Sequence, residues 1–193
     1  PEVPDRVDAL LNAGPSPEAA LVAAARSLEQ AGARAIAMPC NTAHAWADAI
    51  AAAVNIPLLH IVDASLAAAA YHSPGKGLRQ LGILATQGTL ASGIYRRRGG
   101  SHLGWIEPDS VEMATLVTPG IHAVKANRLD DATRLLGDAV NALARRGADV
   151  ILMACTEVPL ALAGTNFAIP LVDSTAALAH ACVAWAIGEH PQT

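Results

Sequence analysis

Short apolar runs alternate along the chain with longer Ala-rich stretches, and each kind of run is bounded by its own punctuation. Ser16, Pro17 and Glu18 supply an N-cap, a first-turn proline and a first-turn acid, and the run behind them reaches Gly32, so a helix is predicted between. Residues 34–38 (RAIAM) are too short for a helix and stop at Pro39, which suits a buried parallel strand. The same reading predicts a helix over 43–53, a strand over 57–62 and a helix over 64–72. SPGKG at 73–77 marks a boundary. Beyond it come a strand over 81–86, a helix after Gly88, a strand near Trp105 and a short helix from Asp109. A helix over 129–146, a strand over 149–154, a helix after Thr156, a strand over 169–173 and a last helix from Ser174 complete the series. Strand and helix alternate throughout, the pattern of parallel α/β architecture with right-handed crossovers.

Within that pattern one unit occurs twice. GARAIAMPC at 32–40 and GADVILMAC at 147–155 agree at Gly32/Gly147, Ala33/Ala148, Ile36/Ile151, Met38/Met153 and Cys40/Cys155. Each Cys closes a strand. The echo continues downstream, where Ile56-Pro57-Leu58 with Asp63 matches Ile169-Pro170-Leu171 with Asp173, each leading into an Ala-rich helix. Two similar lobes of parallel sheet flanked by helices, related by pseudo-two-fold symmetry, are expected. Lobe one takes residues 1–60 with the returning segment 171–193, and lobe two takes 61–170.

Composition narrows the partners. With 16% charged residues and a net charge of -4, the chain is not built to neutralise phosphates, and no nucleic-acid partner is expected. Its 52% hydrophobic content exceeds the usual ~45–50%, so it folds as a globule with ample core. No apolar stretch reaches the roughly 18 uninterrupted residues of a membrane span, and no leader opens the chain, so a cytoplasmic protein without membrane contact is expected. A homodimer acting on a small amino acid is the expected assembly. The first residue is Pro1 rather than Met and no strand precedes PEVPDR, so the N-terminal strand is expected to be missing.

Three cysteines, Cys40, Cys155 and Cys182, form neither a disulfide framework nor a CxxC pair. In parallel α/β sheets ligands bind at the carboxyl ends of strands, where helix N-termini present unpaired N–H groups. Cys40, followed by Asn41-Thr42-Ala43-His44, and Cys155, followed by Thr156-Glu157, both stand there, and a helix N-terminus favours thiolate over thiol. If the lobes face one another, two activatable thiols flank one anion-binding cleft. Interconverting enantiomers needs one proton-transfer group on each face of the reacting carbon, and a duplicated lobe supplies that pair. Asn41, Thr42, Thr86 and Thr156 are the candidate donors around an α-carboxylate.

PCNTAH at 39–44 and ACTEVPL at 154–160, with VPDR at 3–6 and ILATQGT at 83–89, resemble the cofactor-independent aspartate/glutamate racemase family, most closely its aspartate racemase branch. The resemblance covers nearly the whole chain. It implies Cys40 and Cys155 as the two catalytic bases and Asn41, Thr42, Thr86 and Thr156 as ligands of the amino acid's backbone groups. Arg6, and Lys125 in GIHAVKAN, look like the pair that holds a distal carboxylate, and no cofactor or metal is implied. Glu157 stands where glutamate racemases typically carry His, which favours aspartate or broad specificity. An aromatic that often precedes the lysine by one helical turn is absent, Ile121 and His122 standing instead.

Other readings stay open from the residues alone. Cys182 fits a small buried hydrophobe, and His44 is either a packing residue or an assistant to Cys40. A metal on Cys40 and His44 matches no usual spacing. Arg96-Arg97-Arg98 suits a solvated helix end. The same cleft could also serve a decarboxylase, a cis-trans isomerase of a dicarboxylic acid, or a non-catalytic dicarboxylate-binding relative.

Overall fold

The computed structural model describes residues 2–73 and 77–188; the centre of the stretch at 73–77 and His190 fall outside them. Helix α1 (Arg6–Leu11) comes first, capped by the Asp5 carboxylate, which accepts the Asp8 N–H at 2.8 Å. The sequence reading predicted no element here, because six residues are too few to show a period. Helix α2 (Glu18–Gln30) follows, then strand β1 (Ile36–Ala37), a 3-10 turn (Thr42–Trp46), α3 (Ala47–Ala52), β2 (Leu58–Leu59) and α4 (Ile61–Tyr71). The second strand is shorter than its apolar run because His60 ends it. Its ring accepts the Val62 N–H at 3.2 Å and so starts α4 at Ile61.

The longer series then runs through β3 (Gln80–Ala85), α5 (Gln87–Ser92), α6 (Ile94–Gly99), β4 (Gly104–Ile106) and α7 (Ser110–Glu112). A π-helical stretch (Met113–Val117) leads into α8 (Thr118–Lys125), followed by α9 (Leu129–Arg145), β5 (Val150–Ala154), α10 (Glu157–Leu162), β6 (Leu171–Asp173) and α11 (Ser174–Ala186). Asp109 opens α7 through a reciprocal capping box with Glu112.

All strand pairs are parallel. β1 pairs with β2, Ile36 opposite Leu58, and the larger sheet has the order β4-β3-β5-β6. β5 is buried along its whole length because helices cover both faces of that sheet. Alternate residues therefore serve two cores. Ile151, Met153 and Cys155 pack with Val117, Ile121, Leu136 and Val140, while Val150, Leu152 and Ala154 pack with Ile61, Val62, Tyr95 and Leu178. The smaller sheet has a thin core of Ala25, Ile36 and Ile50 with partly buried Leu21, Met38 and Leu58.

The repeat is visible in the backbone. Gly32 follows α2 with φ 89° and Gly147 follows α9 with φ 90°, a left-handed turn that only glycine adopts without strain. The Ile36 N–H then donates to the Pro57 carbonyl at 2.8 Å, and the Ile151 N–H donates to the Pro170 carbonyl at 2.9 Å. Two parts of the sequence reading need correction. The counterpart of Asp173, which caps α11, is His60 rather than Asp63, since each stands three residues after its proline. Asp63 instead pairs with Arg98 on two oxygens. Segment 171–193 does not simply return to lobe one either, because Leu171–Asp173 is a strand of the larger sheet. Helix α11 packs on α4 and reaches the first lobe at both ends, through Ser174, which accepts from Asn41 Nδ2 at 3.0 Å, and through Trp185, whose ring lies 5.5 Å from the Arg34 guanidinium. No helix among the described residues is long and apolar enough to cross a membrane.

Candidate active site

One cavity of about 90 Å³ opens where the carboxyl ends of β1, β3 and β5 converge, and all eight residues singled out from the sequence line it. Its size suits a small metabolite, since sites for drug-sized ligands run to roughly 300–1,000 Å³. Cys40 and Asn41 follow β1, and Thr42 begins the 3-10 turn. Thr86 caps α5 by accepting the Thr89 N–H at 3.2 Å. Cys155 and Thr156 lie between β5 and α10.

Arg6 reaches the same cavity because α1 lies against α5. The approach requires a glycine: a side chain at Gly88 would stand 3.1 Å from the Val7 Cα and 3.3 Å from Thr42. Arg6 is therefore the first residue of a packed helix, and its guanidinium donates to the Pro4 carbonyl at 3.2 Å. Lys125 ends α8, carried there by the π-helical stretch, a rare insertion that re-aims the helix behind it.

The second cysteine is held as a thiol. Cys155 is 7% exposed, and its Sγ donates to Glu157 Oε2 at 2.9 Å. Burial, joined by the hydrogen bond and charge of Glu157, pushes the Cys155 thiol up to about 12. The expectation that a helix N-terminus would favour thiolate fails here. α10 is only six residues long, and a carboxylate in contact with the sulfur outweighs its dipole. Burial alone would raise the Glu157 carboxyl. Hydrogen bonds from Cys155 and from Thr156 Oγ1, the latter at 2.9 Å, with Lys125 Nζ at 3.7 Å, hold it below the usual range.

The first cysteine has a different setting. Cys40 is partly exposed. The His44 ring, which the sequence left undecided, accepts the Ile61 N–H on Nε2 at 3.2 Å, so its proton sits on Nδ1 and is donated to the Cys40 carbonyl at 2.9 Å. Burial lowers His44 to about 4, which keeps it neutral. Neither ring nitrogen is left for a metal or for the Cys40 proton, so His44 fixes the backbone of the Cys40 turn.

Three threonine hydroxyls beside Cys40 form a closed triangle, Thr42 to Thr86 at 3.0 Å, Thr42 to Thr89 at 2.8 Å and Thr86 to Thr89 at 3.0 Å. The sequence reading did not name Thr89. Its signal was the cap-to-N3 spacing from Thr86, which brings the third hydroxyl back to the first.

The Asp/Glu/hydantoin racemase family model matches residues 1–182. The chain belongs to that family. It is 32% identical over 165 residues to the broad specificity amino-acid racemase RacX of Bacillus subtilis (strain 168), an alignment covering 85% of this chain and 70% of the relative. It is also 32% identical over 169 residues to the glutamate racemase of Deinococcus radiodurans, covering 81% of this chain but 54% of that longer protein. The Picrophilus torridus aspartate racemase superposes with a TM-score of 0.80 at 30% identity, covering all of this chain and 78% of that one. Two further residues of this racemase-family cavity carry charge, Asp5 beside Arg6 and Glu157 beside Lys125. Asp5 was not singled out from the sequence and Glu157 was left without a role, because a carboxylate at a helix start reads first as a cap.

Proposed function

We propose that the chain racemises an acidic amino acid, aspartate before glutamate, by two-base proton transfer between Cys40 and Cys155 without a cofactor. The observation that carries this reading is that both thiols, one from each copy of the repeat, line the same small cavity as Arg6 and Lys125. We take the lobes as residues 1–60 and 61–173, bridged by α11, with the cavity at their junction.

In this mechanism the thiolate of one cysteine takes the α-proton, and the thiol opposite delivers its own proton to the other face. The amino acid leaves inverted and the two sulfurs have exchanged protonation states. Cys155 begins as the thiol, because burial and Glu157 hold its proton. Cys40 is then the base. Backbone N–H groups of the strand-end turns face the charge that develops on the α-carboxylate side, and Thr42, Thr86 and Thr156 donate to it by turning their hydroxyl protons away from the threonine triangle and from Glu157.

The acidic preference rests on Arg6 and Lys125. Lys125 already shares charge with Glu157, whereas Arg6 has no carboxylate partner among the described residues, so Arg6 is the main anchor for a distal carboxylate. The family names agree with an acidic or broad choice: one relative is an aspartate racemase, another a glutamate racemase and a third broad in specificity. The test is incubation with each L-amino acid, chiral chromatography of the product, and loss of deuterium from α-deuterated substrate. D-aspartate forming faster than any other D-amino acid supports the reading. Carbon dioxide release would make the enzyme a decarboxylase, and binding without α-exchange would make it a dicarboxylate-binding relative.

A further inference from the structure

Between the two cysteine turns runs a buried polar chain that the two-base reading does not use. Tyr95, 3% exposed on α6, hydrogen-bonds through its hydroxyl to Asn41 Oδ1. Asn41, also 3% exposed, donates from Nδ2 to Ser174 Oγ at 3.0 Å, and Ser174, fully buried, donates to the Met153 carbonyl at 2.8 Å. The direction of this chain is forced. A carbonyl can only accept, so Ser174 spends its one proton on Met153 and must accept from Asn41. The amide nitrogen of Asn41 therefore faces Ser174, its oxygen faces Tyr95, and the tyrosine must donate.

Asn41 directly follows Cys40, and Met153 lies two residues before Cys155. The chain thus ties one thiol's turn to the other thiol's strand through the Asn41 and Ser174 side chains and the Met153 carbonyl. It also changes the role of Asn41. One lone pair of its oxygen and one of its two amide protons are used inside the protein, which leaves one of each at most for a ligand.

We infer that Tyr95, Asn41 and Ser174 are positioning residues, a one-directional hydrogen-bonded strut that sets the Cys40 turn against the Cys155 strand. The inference rests on the two-base reading for its consequence, though not for its geometry. Two bases acting on opposite faces of one carbon must both lie within proton-transfer reach, and a displacement near 1 Å in such an arrangement can cost about 100-fold. Every link is needed, because a broken chain leaves a buried amide or hydroxyl without a partner.

The test uses the variants Tyr95→Phe and Ser174→Ala and their double variant, in the full chain at 25 °C, with folding checked by circular dichroism. Tyr95→Phe keeps the ring and its packing, so it stands as the folded variant if Ser174→Ala does not fold. Two readouts are taken: kcat and KM for aspartate by chiral chromatography, and the iodoacetate alkylation rate of Cys40 by peptide mass mapping, with Cys182 as internal reference. The expected result is a fall in kcat of about 10- to 100-fold in each single variant with KM within about twofold, and a double variant no worse than the poorer single one. Cys40 alkylation should rise severalfold by the same factor in all three, with Cys182 unchanged.

A purely structural network would lower the melting temperature yet leave kcat of the folded protein at 25 °C intact, and that outcome overturns the inference. So do losses that multiply in the double variant, or a Cys40 alkylation rate that does not move. If the wild type racemises no amino acid, the two-base reading falls by itself, and the alkylation pattern alone then decides whether the strut exists.

Discussion

Replacing Cys155 with alanine should remove an alkaline weakness from the folded protein. The Cys155 thiol is raised from an ordinary 9.0 to about 12 in the fold, chiefly by burial and then by Glu157. Below pH 9 both folded and unfolded chains keep this proton, so it contributes no pH dependence there. Between 9 and 12 the unfolded chain releases the proton while the folded chain retains it, so stability falls as pH rises. The slope is ~1.4 kcal/mol per pH unit for one group, which makes ~4 kcal/mol across the full window and ~2 kcal/mol by pH 10.5.

Urea unfolding of wild type and Cys155→Ala at pH 7.5, 9, 10 and 10.5 reads this directly, because all other titrating groups are common to both. The two stabilities should differ by a constant cavity cost up to pH 9 and then converge by ~2 kcal/mol at pH 10.5. Glu157→Gln should shrink the convergence without abolishing it, since burial is the larger cause. Parallel curves for wild type and Cys155→Ala from pH 7.5 to 10.5 would show that Cys155 titrates as an ordinary thiol. The assignment of Cys155 as the resting proton donor would then be lost.

The same geometry dictates further outcomes. Cys40→Ala and Cys155→Ala should each abolish racemisation in both directions, and the double variant should be no worse, because residues acting as one relay lose function at the first deletion; chiral chromatography from each enantiomer checks this. Arg6→Ala should raise KM for aspartate by the equivalent of about 2–5 kcal/mol while barely changing it for alanine or serine, and Lys125→Ala should do the same more weakly because Glu157 shares its charge; equal losses on acidic and neutral substrates would withdraw the acidic preference. Leu136→Ala, at a fully buried site between α8 and α9, should cost ~2–5 kcal/mol in urea unfolding. Arg98→Ala should cost at most ~1 kcal/mol, since both partners of its ion pair with Asp63 are more than a third exposed.

Most of the frame was legible in the sequence because backbone requirements wrote it there. A left-handed turn after α2 and α9 demands Gly32 and Gly147, a two-faced parallel strand demands an unbroken apolar run, and a chain leaving a parallel strand tolerates Pro39. The residues at the strand ends were legible for the same reason, since the fold puts strand ends at the cleft. The features that stayed hidden depend on partners far along the chain. The helix that carries Arg6 forms where Gly88 lets it approach α5, and the π-helical stretch that delivers Lys125 has no local pattern of its own. Asn41 was read as a substrate ligand because a polar residue beside a reactive cysteine looks like one. Tyr95 and Ser174, 54 and 133 residues away, take one acceptor and one donor of its amide, and no local pattern announces them.

The repeat also shows where symmetry had to be broken. Position for position, Cys40-Asn41-Thr42 corresponds to Cys155-Thr156-Glu157, so the residue two places after the thiol is a hydroxyl in one copy and a carboxylate in the other. Thr42 turns its hydroxyl into the threonine triangle, whereas Glu157 accepts the Cys155 proton in a hydrogen bond. Two identical thiol sites would compete for the same protonation state, and many of the molecules would hold two thiols or two thiolates, neither of which can both take and give a proton. In the proposed two-base reading one carboxylate, with burial, holds the resting proton on Cys155 and so excludes the state with two thiolates. On that reading, the duplicated backbone supplies the two thiols, and the difference between Thr42 and Glu157 decides which of them holds the proton before substrate of either hand arrives.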